Sequence, residues 1–180
     1  MESNTKPTMF QTTLTWGLIT GFAAIVYTLI LYFAGLITNK TAGYAAILIA
    51  IVGIYLGTKA YRDQSLDGYI SYGRALGTGV LISLFSTILS IIFMVILYTV
   101  IDPDLVTRIM AESQDKLIEQ GMAEDQIEKG MEITRKFFIP MTIVVGLISN
   151  VFFGFIISLI TSAILKKEGD SFTRDMSNIK

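Results

Sequence analysis

Few side chains in this sequence could do chemistry, and most of those that could are carboxylates. His and Cys are absent, which removes the commonest general base, thiolate metal sites and any disulfide framework. Asp63 and Asp67 lie close together, and nine further acids fall within residues 102–132, but their spacing matches no calcium-binding loop. The acids are therefore interpreted as solvated side chains, and we predict no enzymatic activity, no metal and no cofactor.

Composition excludes several classes of protein. Of the 180 residues, 52% are hydrophobic and only 16% are charged, against roughly 25% charged in an ordinary soluble domain. The high apolar content excludes a disordered chain, and a net charge of -1 provides no basic surface for nucleic acid. We expect membrane lipids to surround this protein, and we expect no nucleic-acid partner.

Four long apolar runs predict transmembrane helices, because about 20 such residues cross a bilayer core. The runs are Thr12–Ile37, Ala42–Ala60, Leu76–Ile101 and Phe138–Leu165. None alternates strictly between apolar and polar residues, as a membrane barrel would require. The first run is too long for a signal peptide and is followed by no cleavage site. The predicted fold is all-α, a polytopic membrane protein whose residues 1–180 form a single four-helix domain.

Between the third and fourth spans, residues 102–136 are predicted to form a helical hairpin outside the membrane. Asp102 is expected to be an N-cap, with Pro103 at the first helical position. Gly121 marks a stop, and the second helix is expected to continue towards the fourth span, where Pro140 bends or re-caps it. The hairpin is interpreted either as a solvated connector or as a docking surface for a partner.

Basic residues near the span ends predict the orientation. Eight lie on the side of the termini and six on the other side, which favours both termini in the cytoplasm and a cytoplasmic tail over residues 166–180. The eight are Lys6, Lys59, Arg62, Arg74, Lys166, Lys167, Arg174 and Lys180.

The connector between the second and third spans carries tyrosines and arginines around a turn signal at Asp67-Gly68. Tyrosine favours the headgroup layer, and arginine is attracted to anionic lipid. We interpret the set as an interfacial anchor, with a ligand-binding loop as the alternative. Its members are Tyr61, Arg62, Tyr69, Tyr72 and Arg74.

Small or polar residues recur at every fourth position of the last span, which keeps them on one helix face. They are Gly146, Asn150, Gly154, Ser158 and Ser162. This candidate packing seam is interpreted as close contact inside one bundle, with a contact between protomers or a narrow polar conduit as alternatives. We expect the amide of Asn150 to hydrogen-bond a Ser, a Thr or a backbone carbonyl on a neighbouring helix.

Several short motifs, taken in order, resemble a known family. They are Gly17 and Gly21, the segment GYISYGRALGTG over Gly68–Gly79, Asp102-Pro103, Gly121-Met122, Gln126-Ile127-Glu128, Phe138-Ile139-Pro140, and Ile160–Ala163 before Lys166-Lys167. Over nearly the whole chain they resemble the Bacteroidota membrane proteins catalogued as domain of unknown function 4199. The resemblance implies a small bacterial inner-membrane protein with four helices. It carries over no catalytic or binding residues, because that family has no established activity.

The functional hypothesis is a protein that acts by association rather than by catalysis. The partner would be a second copy or a membrane complex, bound through the small-residue seams and the hairpin of residues 102–136. The alternative is a small transporter or channel component, conducting as an oligomer along the face of Asn150, Ser158 and Ser162. The absence of charged side chains at depth in the spans weighs against ion-coupled transport.

Overall fold

Five α-helices build the protein in a computed structural model that describes residues 6–167, apart from the side chains of Lys40 and Glu124. Most of the predicted tail over residues 166–180 thus lies outside the described residues. The helices are α1 (Met9–Phe33), α2 (Lys40–Ser65), α3 (Tyr72–Ile96), α4 (Asp104–Glu119) and α5 (Glu124–Leu165), and a π-helical turn, Leu97–Ile101, follows α3. Within residues 6–167 there is no strand, only one antiparallel bridge between Ile70 and Lys167.

Helix-capping residues, rather than the limits of the apolar runs, determine where α1 begins and ends. Thr8 and Gln11 form a capping box, so α1 starts three residues before the predicted Thr12. Gly35 has a φ of +68°, a conformation that ends a helix and that favours glycine. The apolar run over 12–37 therefore includes a turn that apolarity alone cannot reveal.

The second helix is longer than its apolar run and takes in part of the predicted connector. Asn39 caps α2 by accepting from the backbone of Thr41 and Ala42, and the helix continues to Ser65 because no residue before Asp67-Gly68 interrupts it. The predicted turn is present there, with φ of 53° at Asp67 and 84° at Gly68.

α3 lies at the centre of the bundle and packs against α1, α2 and α5. α1 and α5 lie on opposite sides of it, with no backbone contact between them in residues 6–167. Glycines allow the close crossings: a Cβ on Gly17 would lie 2.5 Å from Cβ of Phe85, and a Cβ on Gly57 would lie 2.7 Å from Cβ of Trp16. Small residues thus set the distances between the helices.

The burial pattern is the reverse of that in a soluble bundle. Thr13, Thr58, Thr78, Ser158 and Ser162 are fully buried, whereas many Ile, Val, Leu and Phe side chains point outwards. α1, α2, α3 with its π-helical turn, and most of α5 are each long and apolar enough to cross a membrane.

The start of α4 differs from the prediction. Pro103, not Asp102, is the N-cap, and no side chain caps the helix. Asp102 instead ends the π-helical turn, where its amide donates to the carbonyl of Leu97 at 2.9 Å. Its carboxylate binds two side chains, described below.

α4 ends where glycine was expected to stop it, and α5 begins three residues later. Gly121 has a φ of +79°, and its amide donates to the carbonyl of Ile118 at 2.9 Å. α5 then runs without a break through Pro140. Pro140 therefore does not re-cap the helix, although it has no N–H to offer the carbonyl of Lys136.

Candidate functional site

The predicted packing seam divides into two parts in the structure. A Cβ on Gly154 would overlap Ser83, and a Cβ on Gly79 would lie 2.5 Å from Oγ of Ser158, so this part of the seam meets α3. Ser158 and Ser162 are fully buried. A Cβ on Gly146, by contrast, would meet nothing within 4 Å.

Asn150 lies on the exposed part of α5 and does not make the expected bond to a neighbouring helix. Its amide Nδ2 donates to the carbonyl of Gly146 at 2.8 Å, one turn back in its own helix. An exposed amide on a helix satisfies itself most readily in this way, because the carbonyl four residues earlier is within reach. Only the backbone carbonyl of Asn150 faces α3, where it accepts from Oγ of Ser83 at 3.4 Å.

The predicted interfacial anchor lies at the end of the bundle where the described termini meet. Ile70 and Lys167 exchange backbone hydrogen bonds of 2.9 and 3.0 Å, and Lys6 pairs with Asp67 at 2.7 Å. The first and last described residues and the α2–α3 turn therefore share one end, as the orientation prediction required.

Members of the anchor differ in their surroundings. Tyr61 is buried, whereas Tyr69 is exposed and has Nζ of Lys167 over its ring at 5.3 Å. Arg62 donates from Nε to Asp63 at 2.7 Å and from Nη1 to the carbonyl of Leu165 at 3.5 Å. The hydroxyl of Tyr72 donates to the carbonyl of Leu159 at 3.5 Å, and Arg74 is exposed.

At the opposite end, α4 is fastened to the bundle by a group of three side chains. The hydroxyl of Tyr32, near the end of α1, donates to Oδ2 of Asp102 at 2.8 Å, and Nη2 of Arg108 donates to the same oxygen. These two hydrogen bonds, the one from Tyr32 foremost, hold the pKa of the Asp102 carboxyl below its usual range. We call this group the Asp102 clasp.

A second contact holds α4 one turn further along. Hydrogen bonds from Lys116 and then from Thr38 lower the pKa of the Glu112 carboxyl. Because Thr38 lies in the α1–α2 turn and Glu112 lies on α4, this contact joins the same two parts of the molecule as the Asp102 clasp. The sequence carried no signal for Tyr32 or Thr38 in this role, since both precede Asp102 by more than sixty positions.

A groove opens between α4 and the first turns of α5. Met110 and Ile127 are buried between the two helices, and two adjoining cavities of about 340 and 330 Å³ lie beside them. The residues lining this α4–α5 groove are Thr107, Met110, Ala111, Gln114, Ile118, Ile127, Glu128, Met131, Glu132 and Arg135. Methionine side chains are common at surfaces that bind other polypeptides.

The described part of the chain offers no metal-binding cluster: no group of three or more Asp or Glu side chains in residues 6–167 is arranged to hold an ion. Asp63 is paired with Arg62, and Asp67 with Lys6. The α4–α5 groove is the candidate functional surface, because it is an open cavity that side chains of two helices line.

The chain matches a known family over most of its length. The family described as "Protein of unknown function (DUF4199)" matches residues 15–167. These residues include most of α1, the other three apolar helices and the hairpin. Comparisons with curated proteins and with solved structures give no match.

Proposed function

Since the chain belongs to this family of unknown function, we propose that it is a multi-pass protein of the bacterial inner membrane that binds a protein partner through its α4–α5 groove and performs no catalysis. Both termini would lie in the cytoplasm and the hairpin on the other side. The observation that carries the proposal is an open groove, lined by methionine and acids, on the one pair of helical segments that the bundle does not enclose.

Membrane insertion is supported by the outward-facing side chains of the four apolar helices. Phe22, Ile148 and Phe152 are 64, 65 and 59% exposed, and a monomer in water rarely presents such side chains over a continuous surface. About half of the buried side chains are Ser or Thr, as in helix contacts within lipid.

Charge favours the hairpin as the contact surface. Residues 102–136 hold nine acids and five basic residues, and Glu128 and Glu132 lie on the wall of the groove. A partner with basic and apolar side chains would be attracted to this surface before contact, and apolar burial would then stabilise the complex.

The small-residue seams are already occupied at three of their glycines. Each of these glycines has a side chain of a neighbouring helix packed directly on it. Ser83 packs on Gly154, Ser158 packs on Gly79, and Phe85 packs on Gly17. A second copy of the chain could not approach these glycines without opening the bundle. Association through these three glycines is therefore disfavoured, and the groove takes their place in the proposal.

Site-specific photocrosslinking in native membranes tests partner binding. A photoreactive residue at Gln114, which lines the groove, is expected to give one discrete protein adduct. The matched control is Ser113, the neighbouring exposed position outside the groove lining. Met131→Arg should abolish the Gln114 adduct while leaving the melting temperature unchanged. Equal adducts from both positions, or adducts to lipid alone, would contradict the proposal.

The orientation is testable separately because the chain has no Cys. Single cysteines at Ser3 and Ser113 should respond oppositely to a membrane-impermeant maleimide added to intact spheroplasts. We expect labelling at Ser113 and none at Ser3 until the membrane is permeabilised. The reverse pattern would place the termini outside.

A transporter or channel component is the second candidate, and one observation favours it. The hydroxyls of Thr58 and Ser162 are buried and have no hydrogen-bond partner, which is unusual unless water or a polar solute reaches them. Flux of small polar solutes into vesicles containing the purified chain would support this candidate. A Thr58→Val variant with the same flux would argue that these hydroxyls do not line the conduit.

A further inference from the structure

A second groove lies on the outside of the bundle, between α1 and α2. Its volume is about 390 Å³, and no polar surface lines it. The floor consists of Thr20, Ala23 and Gly53, whose small size leaves a hollow, and the walls include Trp16, Val52 and Leu56. We call it the α1–α2 groove.

The shape of this groove follows from how the two helices cross. Gly53 packs directly on the side chain of Thr20, so the helix backbones are close at the floor. Val52 and Leu56, beside Gly53 on α2, are 54 and 39% exposed and stand out on the surface. From Leu48 to Leu56 the groove follows two turns of α2, about 12 Å of helix. An apolar groove of this length fits part of an extended hydrocarbon chain.

The end of the groove at Leu56 leads to a concentration of positive charge. Lys59 is exposed and lies one turn beyond Leu56 on the same face of α2. The charges of Arg62, Lys59 and Lys167 all act on the carboxylate of Asp63. Three cations thus surround one acid, and the cluster retains a net positive charge next to the mouth of the groove.

We propose that the α1–α2 groove binds one acyl chain of an anionic phospholipid, whose headgroup phosphate is held by Lys59 and its neighbouring cations. Charge complementarity favours an anionic over a zwitterionic lipid, because a net positive cluster attracts a headgroup that carries a net negative charge. The proposal is independent of partner binding at the α4–α5 groove, which lies at the other end of the bundle.

Trp16 provides a direct measurement, because it lines the groove and is the single Trp of the chain. The full chain would be reconstituted in vesicles containing phospholipids with brominated acyl chains, which quench Trp on contact. Brominated phosphatidylglycerol is expected to occupy the site several-fold more strongly than brominated phosphatidylcholine at the same mole fraction. Equal quenching by the two lipids would overturn the proposal.

Two pairs of variants separate the headgroup contact from the acyl-chain contact. Lys59→Gln should reduce the preference for phosphatidylglycerol about fivefold, the value of one lysine near an anionic surface. Arg74→Gln removes an exposed positive charge at the same end of the bundle, away from the groove lining, and should leave the preference unchanged. An equal loss in both variants would indicate general surface charge and contradict a specific site.

Ala23→Phe fills the floor of the groove and should weaken quenching by both lipids. Ala163→Phe makes the same change on an exposed position of α5 and should leave quenching as in the unmodified chain. Undiminished quenching in Ala23→Phe would show that no acyl chain occupies the groove. Circular dichroism and thermal melting of each variant would verify that the bundle is intact.

Discussion

The phenol of Tyr32 donates a 2.8 Å hydrogen bond to the carboxylate of Asp102, although the two residues are seventy positions apart in the chain. This bond joins the last turns of α1 to the junction between the π-helical turn and α4. Arg108 binds the same carboxylate oxygen from α4. This contact, together with the apolar cluster around Leu97, Tyr98 and Leu105, joins α4 to the bundle.

Removing the phenol should loosen α4 without unfolding the bundle. We expect Tyr32→Phe to lower the melting temperature in detergent by a few degrees, since one hydrogen bond to a charged acceptor is lost. Faster amide hydrogen exchange should be confined to α4 and the π-helical turn. Tyr44→Phe, at a position 67% exposed, is the control and should change neither quantity. Unchanged exchange in α4 would mean that the Asp102 clasp does not position it.

The Asp102 clasp should also make stability depend on pH. The pKa of Asp102 is lower in the folded protein than the value of about 3.9 expected for an unfolded chain. The ionised Asp102 carboxylate therefore stabilises the fold above the unfolded-state pKa, at about pH 4 and higher. This stabilisation is lost as the pH falls through the folded-state pKa. The difference in melting temperature between the unmodified chain and Asp102→Asn should be constant near neutral pH and shrink below about pH 4. A difference in melting temperature that does not change with pH would show that ionisation of Asp102 is not the source of this stability.

Two glycines on α5 should respond oppositely to the same substitution. A Cβ on Gly154 would overlap Ser83, so Gly154→Ala should push α5 away from α3 and lower the melting temperature markedly. Gly146→Ala meets no atom within 4 Å and should be neutral or stabilising by up to about 1 kcal/mol, the difference in helix propensity. The additional change Ser83→Gly should recover much of the loss in Gly154→Ala. Equal effects at the two glycines would show that the crossing with α3 is not tight.

Asn150 should be more tolerant of substitution than its position in an apolar helix indicates. Its amide is exposed and bonds only within α5, so Asn150→Leu should leave the melting temperature in detergent unchanged or raise it slightly. Ser158→Leu is the comparison, because Ser158 is fully buried against Gly79 and has no space for a larger side chain. A substantial loss of stability in Asn150→Leu would indicate that the amide binds another molecule or another helix.

The hydroxyl of Thr58 is buried and has no hydrogen-bond partner among the described residues. Because this buried group makes no hydrogen bond, the isosteric change Thr58→Val should raise the free energy of unfolding by about 1 kcal/mol. Thr78→Val is the matched control: the Thr78 hydroxyl donates to the carbonyl of Arg74 at 2.8 Å, and its loss should not stabilise. Destabilisation by Thr58→Val would point to an ordered water or solute at this position.

Local features of the fold were predictable because they depend on neighbouring residues. Apolar length indicated four helices, and Gly121 and Asp67-Gly68 marked turns that are present. Helix ends were less predictable, since the capping box at Thr8 and the turn at Gly35 lie within or beside apolar residues. The role of Asp102 was incompletely predicted for a related reason: Asp before Pro indicates a helix start, but nothing nearby in the sequence indicates the bond from the distant Tyr32.

The sequence by itself determined the all-helical class, the four apolar helices, the acidic hairpin and the membership of a family of unknown function. Only the tertiary structure decided which members of the small-residue seam meet another helix, because spacing puts residues on one face but does not say what that face opposes. Other helices of the bundle cover Gly154, Ser158 and Ser162, whereas the side chain of Asn150 is exposed. Both grooves likewise exist only between helices, where separate stretches of chain come together.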